Sequence, residues 1–182
     1  MINVAKILRV SKSVLDFKFS GDVLKILDNG YNFYIASCET FKLVKAQNIS
    51  SKFEQPHTYS KAFTLNNNSL FLIPLLGTQN GFVLAFNEEL QKVTTISKHK
   101  KDIEVATFSH DGKMLATGGA DGVLVISDTK TFNTIISFLP RADYISAITF
   151  SNNNNYIVYS SFDKTTIVFD LFLNRKLAQF LT

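Results

Sequence analysis

Three histidines and one cysteine are the residues of this 182-residue chain best suited to metal binding or nucleophilic chemistry. His57, His99 and His110 stand in different predicted turns, and no group of histidine, cysteine and aspartate has the spacing of a metal site. Cys38 has no histidine or lysine beside it that would activate a thiolate. The sequence therefore predicts no bound metal, no cofactor and no catalytic residue.

A glycine-rich segment, Gly118–Gly122, has a composition that suits a phosphate-binding loop. It lacks the Lys-Ser/Thr pair that follows such loops, and it precedes a predicted strand, whereas phosphate cradles rely on a helix N-terminus. Its Asp-Gly pair is instead a strong hairpin signal. Asp121 and Asp163 recur in equivalent turns, so we interpret them as part of the scaffold and not as a paired acid and base.

The elements that position these residues repeat along the chain. Segment 99–128 recurs in looser form at 141–170, with a constant offset and no gap. The corresponding pairs are Ile103 and Ile145, Phe108 and Phe150, Asp121 and Asp163, and Asp128 and Asp170. A period of roughly 40 to 45 residues, divided into four short strand-like runs, is typical of a β-propeller blade.

One repeat has the pattern of four antiparallel strands. The turn 110–113, His-Asp-Gly-Lys, joins the first two strands, and Gly118–Gly122 joins the second to the third. Val123–Ile126 is an unbroken apolar run, which predicts a strand covered on both faces. Residues 133–139 supply a fourth, outer strand, and the fold class predicted is all-β.

These residues resemble the WD40 repeat. Its pattern has a histidine near the start, Phe-Ser-x-Asp-Gly after the first strand, an Asp-Gly turn and a closing Trp-Asp. Ser127 occupies the tryptophan position and Arg141 the histidine position of the next repeat, and the chain has no tryptophan, so the family's His–Ser/Thr–Trp hydrogen-bond relay is incomplete. The resemblance implies structural roles for His99, Asp111, Gly112, Asp121, Gly122, Asp128, Asp163 and Asp170.

Two weaker units precede the clear repeats, so we expect one WD40-like domain over 1–182 with units near 10–50, 51–97, 98–140 and 141–182. Propellers close with roughly four to eight blades, and WD40 wheels usually have seven, so an incomplete wheel is expected. Three alternatives stay open: a shortened product, an arc completed by a second copy or a partner, and a small closed wheel. An open arc would expose apolar surface and favour self-association.

The composition is that of a globular β-rich protein, with 46% hydrophobic and 19% charged residues. Seventeen phenylalanines and no tryptophan lead us to expect phenyl rings between the blades. The chain has one cysteine, no signal-peptide pattern and no apolar run of membrane-spanning length, so we expect a cytoplasmic location without membrane contact.

The charge pattern supplies candidate binding residues. The net charge of +4 permits an acidic partner without requiring one. The densest positive patch enters the third unit, on the rim that WD40 proteins commonly use for partners. The partner-binding residues predicted from place in the repeat are Lys98, Lys100, Lys101, Arg141, Asp143 and Tyr144.

We therefore predict a non-enzymatic scaffold that presents rim loops to protein partners, for example an assembly or accessory factor. Two alternatives remain. A propeller that binds nucleic acid through a basic rim is disfavoured because interleaved exposed aromatics are not visible in the sequence. A propeller enzyme would need ionisable residues on the inner strands, but Val105–Phe108 and Ser146–Phe150 are apolar or hydroxylic.

Overall fold

The computed structural model describes residues 9–49, 64–65, 71–74, 81–86, 91–97, 99–138 and 143–181. These residues form sixteen β-strands and no helix. The chain divides into two compact units, Met1–Pro56 and His57–Thr182. The predicted all-β architecture of four-stranded antiparallel sheets is confirmed, whereas the predicted unit boundaries stay a prediction.

The first unit contains one antiparallel sheet with strand order β1-β2-β3-β4. Its strands are β1 (Val14–Ser20), β2 (Val23–Asp28), β3 (Asn32–Ser37) and β4 (Leu43–Asn48). Gly21, at φ 58°, permits the tight turn between β1 and β2 because a glycine has no Cβ to clash in this left-handed conformation. The buried side chains of this sheet include Ile26, Leu27, Phe33, Tyr34 and Ala36.

The described residues of the second unit form three sheets, each made of four strands consecutive in the chain. The first has β5 (Thr64–Leu65), β6 (Phe71–Pro74), β7 (Phe82–Phe86) and β8 (Lys92–Ser97). The next has β9 (Ile103–Phe108), β10 (Met114–Gly119), β11 (Leu124–Asp128) and β12 (Thr134–Phe138). The last has β13 (Ile145–Phe150), β14 (Tyr156–Ser161), β15 (Thr165–Asp170) and β16 (Arg175–Leu181). Within each sheet, strands that are consecutive in the chain pair antiparallel.

The β9–β12 sheet is covered on both faces. On one face Ala116, Leu124 and Ile126 join a cluster with side chains of the β13–β16 sheet, including Ile145 and Phe169. On the other face Ala106 and Leu115 pack with Val83, Ala85 and Ile96 of the preceding sheet. Burial on both faces explains why β11 is apolar without alternation, as its sequence predicted.

The expectation that phenylalanines fill the space between sheets is correct for part of the set. Phe33, Phe86, Phe150 and Phe169 are buried. Six others are more than half exposed: Phe17, Phe19, Phe41, Phe162, Phe172 and Phe180. These lie on edge strands or in turns, where a neighbouring sheet covers the side chain less completely than in a central strand.

Candidate functional site

The candidate site is one end of the sheets of the second unit, called the rim below and consisting of residues 99–102, 119–123, 143–144 and 161–164. The Ala120 amide donates to the Asp102 carbonyl at 2.7 Å, which ties the loop before β9 to the β10–β11 turn. The Phe162 amide donates to the Tyr144 carbonyl at 3.1 Å and does the same one sheet later. Each loop on the rim is therefore fixed by a neighbouring turn.

His99 and Asp121 link the loop to the turn from inside. Nδ1 of His99 lies 3.1 Å from Oδ1 of Asp121, and Nε2 lies 2.8 Å from the hydroxyl of Thr117. The second oxygen of Asp121 accepts from the Lys100 amide at 2.8 Å, and Oδ1 also accepts from the Val123 amide at 3.1 Å. The Asp121 carboxylate therefore binds both the loop before β9 and the β10–β11 turn.

The protonation of this pair follows from its surroundings. Burial lowers the pKa of His99 below its usual 6.5, against the opposing effect of the Asp121 carboxylate. Burial raises the pKa of Asp121, but hydrogen bonds from the Lys100 amide and His99 outweigh it and leave that pKa below 3.8. At neutral pH Asp121 is therefore ionised and His99 neutral. Since the carboxylate only accepts, Nδ1 carries the proton and Nε2 accepts from Thr117.

A carboxylate, an imidazole and a hydroxyl in series also occur in hydrolytic triads. Here His99 and Thr117 are each only 3% exposed, so the hydroxyl has no access to a substrate. These contacts join His99 to the β10–β11 turn, and the structural role of His99 stays a prediction.

Gly81 and Gly119 have no Cβ, so the loop before β9 can lie close to their backbone. A Cβ on Gly119 would lie 2.5 Å from both His99 Nδ1 and Asp121 Oδ1. A Cβ on Gly81 would lie 2.1 Å from the carbonyl oxygen of Lys101, which is backbone and cannot rotate away. A larger residue at either position would displace the loop that carries the lysines.

The rim brings together four of the six predicted partner-binding residues. Lys100 and Lys101 are exposed in the loop before β9, and Tyr144 is 41% exposed before β13. Asp143 is half-buried, and its Oδ1 accepts from the Tyr144 amide at 2.9 Å. Lys98 and Arg141 lie outside the described residues.

Sequence reasoning missed one exposed aromatic on the rim. Phe162 is 61% exposed in the β14–β15 turn, and its ring centroid lies 4.7 Å from that of Tyr144 with 42° between the ring planes. Alignment of the two repeats could have identified Phe162, because the equivalent position in the preceding repeat is the much smaller Ala120. A large apolar residue thus occupies a turn position that a small residue can fill.

The predicted repeat carboxylates at the ends of β11 and β15 accept from backbone amides of the turns that follow these strands. Asp128 accepts from the Lys130 and Thr131 amides at 3.0 and 2.7 Å. Its equivalent in the next repeat, Asp170, accepts from the Phe172 and Leu173 amides at 2.9 and 2.8 Å. Both residues therefore close the turn that leads to the outer strand of their sheet.

The other predicted repeat residues also lie in turns. Asp111 accepts from the Lys113 amide at 3.1 Å, and Asp163 accepts from the Thr165 amide at 2.9 Å. The two repeat glycines occupy left-handed turn positions, at φ 69° for Gly112 and φ 73° for Gly122. The structural roles that the resemblance implied for these residues stay a prediction.

Neither a metal-ligand cluster nor a membrane-spanning helix is present in the described part of the chain. Within it, no three histidine, cysteine, aspartate or glutamate side chains are grouped to hold a metal ion. Nor does any helix among those residues have the length and apolar character needed to cross a membrane.

Part of the sequence is similar to known proteins. The family model of the Anaphase-promoting complex subunit 4 WD40 domain matches residues 68–153. Autophagy-related protein 18 of Saccharomyces cerevisiae (strain ATCC 204508 / S288c) is 34% identical over 98 residues, which is 51% of this chain and 19% of that protein. Transcriptional corepressor LEUNIG_HOMOLOG of Arabidopsis thaliana is 31% identical over 93 residues, 51% of this chain and 11% of that protein.

A solved structure, described as the crystal structure of the mitotic checkpoint complex, superposes with a TM-score of 0.73 at 15% identity. The match covers 92% of this chain and 50% of the matched chain, and at that identity it concerns the fold alone. The chain spans about a fifth of the length of the autophagy-related relative. The four-stranded sheets, the sequence repeat that coincides with them and these matches agree, and the chain is similar to WD40-repeat proteins with the β-propeller fold.

Proposed function

We propose that this chain is a non-enzymatic scaffold that binds protein partners through the rim. The observation that carries the proposal is the anchoring of the rim loops. The Asp121 carboxylate holds the Lys100 amide and His99, and backbone bonds join each loop to the adjacent turn. The backbone of such loops is already ordered, so it loses little conformational freedom when a partner binds.

The exposed side chains of the rim suit a protein interface. Tyr144 and Phe162 supply aromatic surface, and the exposed Lys100 and Lys101 supply charge on the neighbouring loop before β9. Aromatic anchors surrounded by polar residues are the usual composition of a protein interface. The name of one matched protein, a transcriptional corepressor, supports an assembly or accessory role as part of the proposal. The cytoplasmic location stays a prediction, which fluorescence microscopy of the tagged chain would test.

Site-specific photocrosslinking tests the proposal in cells that make this protein. A photoreactive phenylalanine derivative replaces Tyr144 on the rim or Tyr156 at the start of β14. Tyr156 is a matched control because it is 36% exposed, close to the 41% of Tyr144, and lies outside the rim. We expect a protein adduct from position 144 that withstands nuclease treatment, and no comparable adduct from position 156.

Equal adducts from both positions, or none from position 144, would contradict the rim as the binding surface. An adduct that nuclease removes would instead support the nucleic-acid alternative.

A further inference from the structure

We propose that Tyr144, Phe162 and Asp143 form a subsite that receives an arginine side chain of the protein partner. The inference rests on the proposed function and adds the chemistry of the group that the rim recognises. Neither Phe162 nor a preference for a cationic side chain was predicted from the sequence, and the net charge of +4 permits an acidic partner without requiring one.

The two rings stand on anchored backbone. Phe162 lies in a turn closed by the Lys164 amide, which donates to the Ser161 carbonyl at 3.2 Å. The Phe162 amide itself donates to the Tyr144 carbonyl, and the Ser161 hydroxyl donates to the Asp143 carbonyl at 3.3 Å. The turn and the loop are therefore joined at two points, and the rings are presented as a unit with few rotatable bonds.

The fold itself does not require these aromatic side chains. In the preceding repeat the equivalent residues are Asp102 and Ala120, and the Ala120 amide makes the same bond to the Asp102 carbonyl, at 2.7 Å. A small residue and a polar residue thus suffice to close the turn. The rings at positions 144 and 162 expose apolar surface to water and are not needed to close the turn. Such exposed apolar surface is typical of a binding surface.

The charges next to the rings favour a cation. Asp143 precedes Tyr144 and Asp163 follows Phe162, whereas Lys164 is the one ammonium group in 143–144 and 161–164. Asp143 uses Oδ1 for the Tyr144 amide, and for Oδ2 the described residues provide no hydrogen-bond donor. Lys100 and Lys101 lie on the neighbouring loop before β9, at the other part of the rim.

An arginine satisfies both parts of this subsite. Its guanidinium stacks on aromatic faces, which carry partial negative charge, and its N–H groups donate to a carboxylate. A partner's carboxylate would be repelled by Asp143. An apolar side chain would cover Asp143 and remove its hydration without replacing the lost hydrogen bonds.

The test is an NMR titration of the full chain with N-acetyl-arginine amide and, separately, with N-acetyl-citrulline amide. Citrulline has nearly the shape of arginine but no charge. We expect the signals of Tyr144 and Phe162 to shift with the arginine probe, with affinity roughly 3- to 30-fold above that of the citrulline probe.

Phe162→Ala is the main variant, because Ala120 shows that the turn accepts alanine. We expect Phe162→Ala and Asp143→Asn each to weaken arginine binding, and Tyr156→Ala, on β14, to leave it unchanged. Equal binding of the two probes, or full arginine binding by Phe162→Ala, would overturn the subsite.

The two proposals fail separately. If a crosslink forms at position 144 but the arginine probe does not bind, the rim is an interface and the arginine subsite is wrong. If the arginine probe binds but no crosslink forms at position 144, the subsite is supported and the proposed scaffold function is contradicted.

Discussion

At the scale of single residues, the Asp121 carboxylate joins the loop before β9 to the β10–β11 turn of the rim. It accepts from the Lys100 and Val123 amides and lies against His99, all within hydrogen-bond distance. Both the carboxylate and the imidazole are largely shielded from water. If either one is removed, water therefore does not fully replace the lost hydrogen bonds of the other, and the protein is destabilised.

Asp121→Ala tests this directly. We expect the free energy of unfolding to fall by roughly 1 to 3 kcal/mol, because the Lys100 and Val123 amides and His99 lose their acceptor. Urea unfolding followed by circular dichroism measures the change. Asp22→Ala, which removes an exposed carboxylate from another turn, serves as the control and should shift stability by no more than about 0.5 kcal/mol. A neutral Asp121→Ala would show that the carboxylate does not hold the loop.

The burial of His99 predicts a dependence of stability on pH. Its pKa is lowered in the folded state, whereas in the unfolded chain it returns to about 6.5. The unfolded state therefore binds the proton first, and the free energy of unfolding decreases as pH falls below about 6.5 and on through the folded pKa. Urea midpoints between about pH 7.5 and pH 5 measure this decrease.

His99→Gln should flatten the pH dependence in that range, since glutamine does not titrate. His110→Gln, at an exposed turn residue, should retain it. If His99→Gln kept the same slope as the unchanged protein, another group would be responsible for it.

At the scale of elements, the turns of the last two sheets repeat their backbone conformation as well as their sequence. Left-handed φ angles occur at equivalent positions of the two repeats: Gly112 and Asn154, Gly122 and Lys164, and Phe132 and Asn174. The later sheet adopts the same turns although it lacks glycine at these positions. Turn geometry is therefore set by the strands that the turn joins, and residues other than glycine bear the conformational cost.

Gly122→Ala and Lys164→Ala form a matched pair. Gly122→Ala should reduce the free energy of unfolding by roughly 1 to 2 kcal/mol, because alanine is strained at positive φ. Lys164 already bears that strain, so Lys164→Ala should change stability by no more than about 0.5 kcal/mol. Thermal unfolding of the two variants beside the unchanged chain provides the comparison, and equal effects would contradict a backbone origin.

At the scale of the whole molecule, several large apolar side chains are exposed among the described residues. Phe172 is 87% exposed in the β15–β16 turn, and Leu181 is 83% exposed at the end of the edge strand β16. An edge strand with apolar side chains is a common place for chains to associate.

We therefore expect the purified chain to self-associate in a concentration-dependent way. Light scattering should give a mass above 20.4 kDa that rises with concentration. Phe172→Ser combined with Leu181→Ser should lower that mass, because both changes remove exposed apolar surface. Lys113→Ser, at an exposed lysine, is the control and should leave it unchanged. A constant mass of 20.4 kDa at all concentrations would contradict this prediction.

Much of this protein was predictable from local sequence features. The constant repeat offset, the Asp-Gly turn at Asp121 and the unbroken apolar run of β11 together led to antiparallel four-stranded sheets that bury both faces. Such features are readable because turn chemistry and hydrophobic periodicity act between residues that are close in the chain.

Other properties were decided only by the tertiary structure. Tyr144 and Phe162 are separated along the chain by the whole of β13 and β14, and their contact depends on how one loop docks on one turn. The division of phenylalanines into buried and exposed sets likewise depends on which strand face a neighbouring sheet covers. The residue type alone does not show whether a phenylalanine is buried, because phenylalanine is found both in protein cores and at exposed sheet edges.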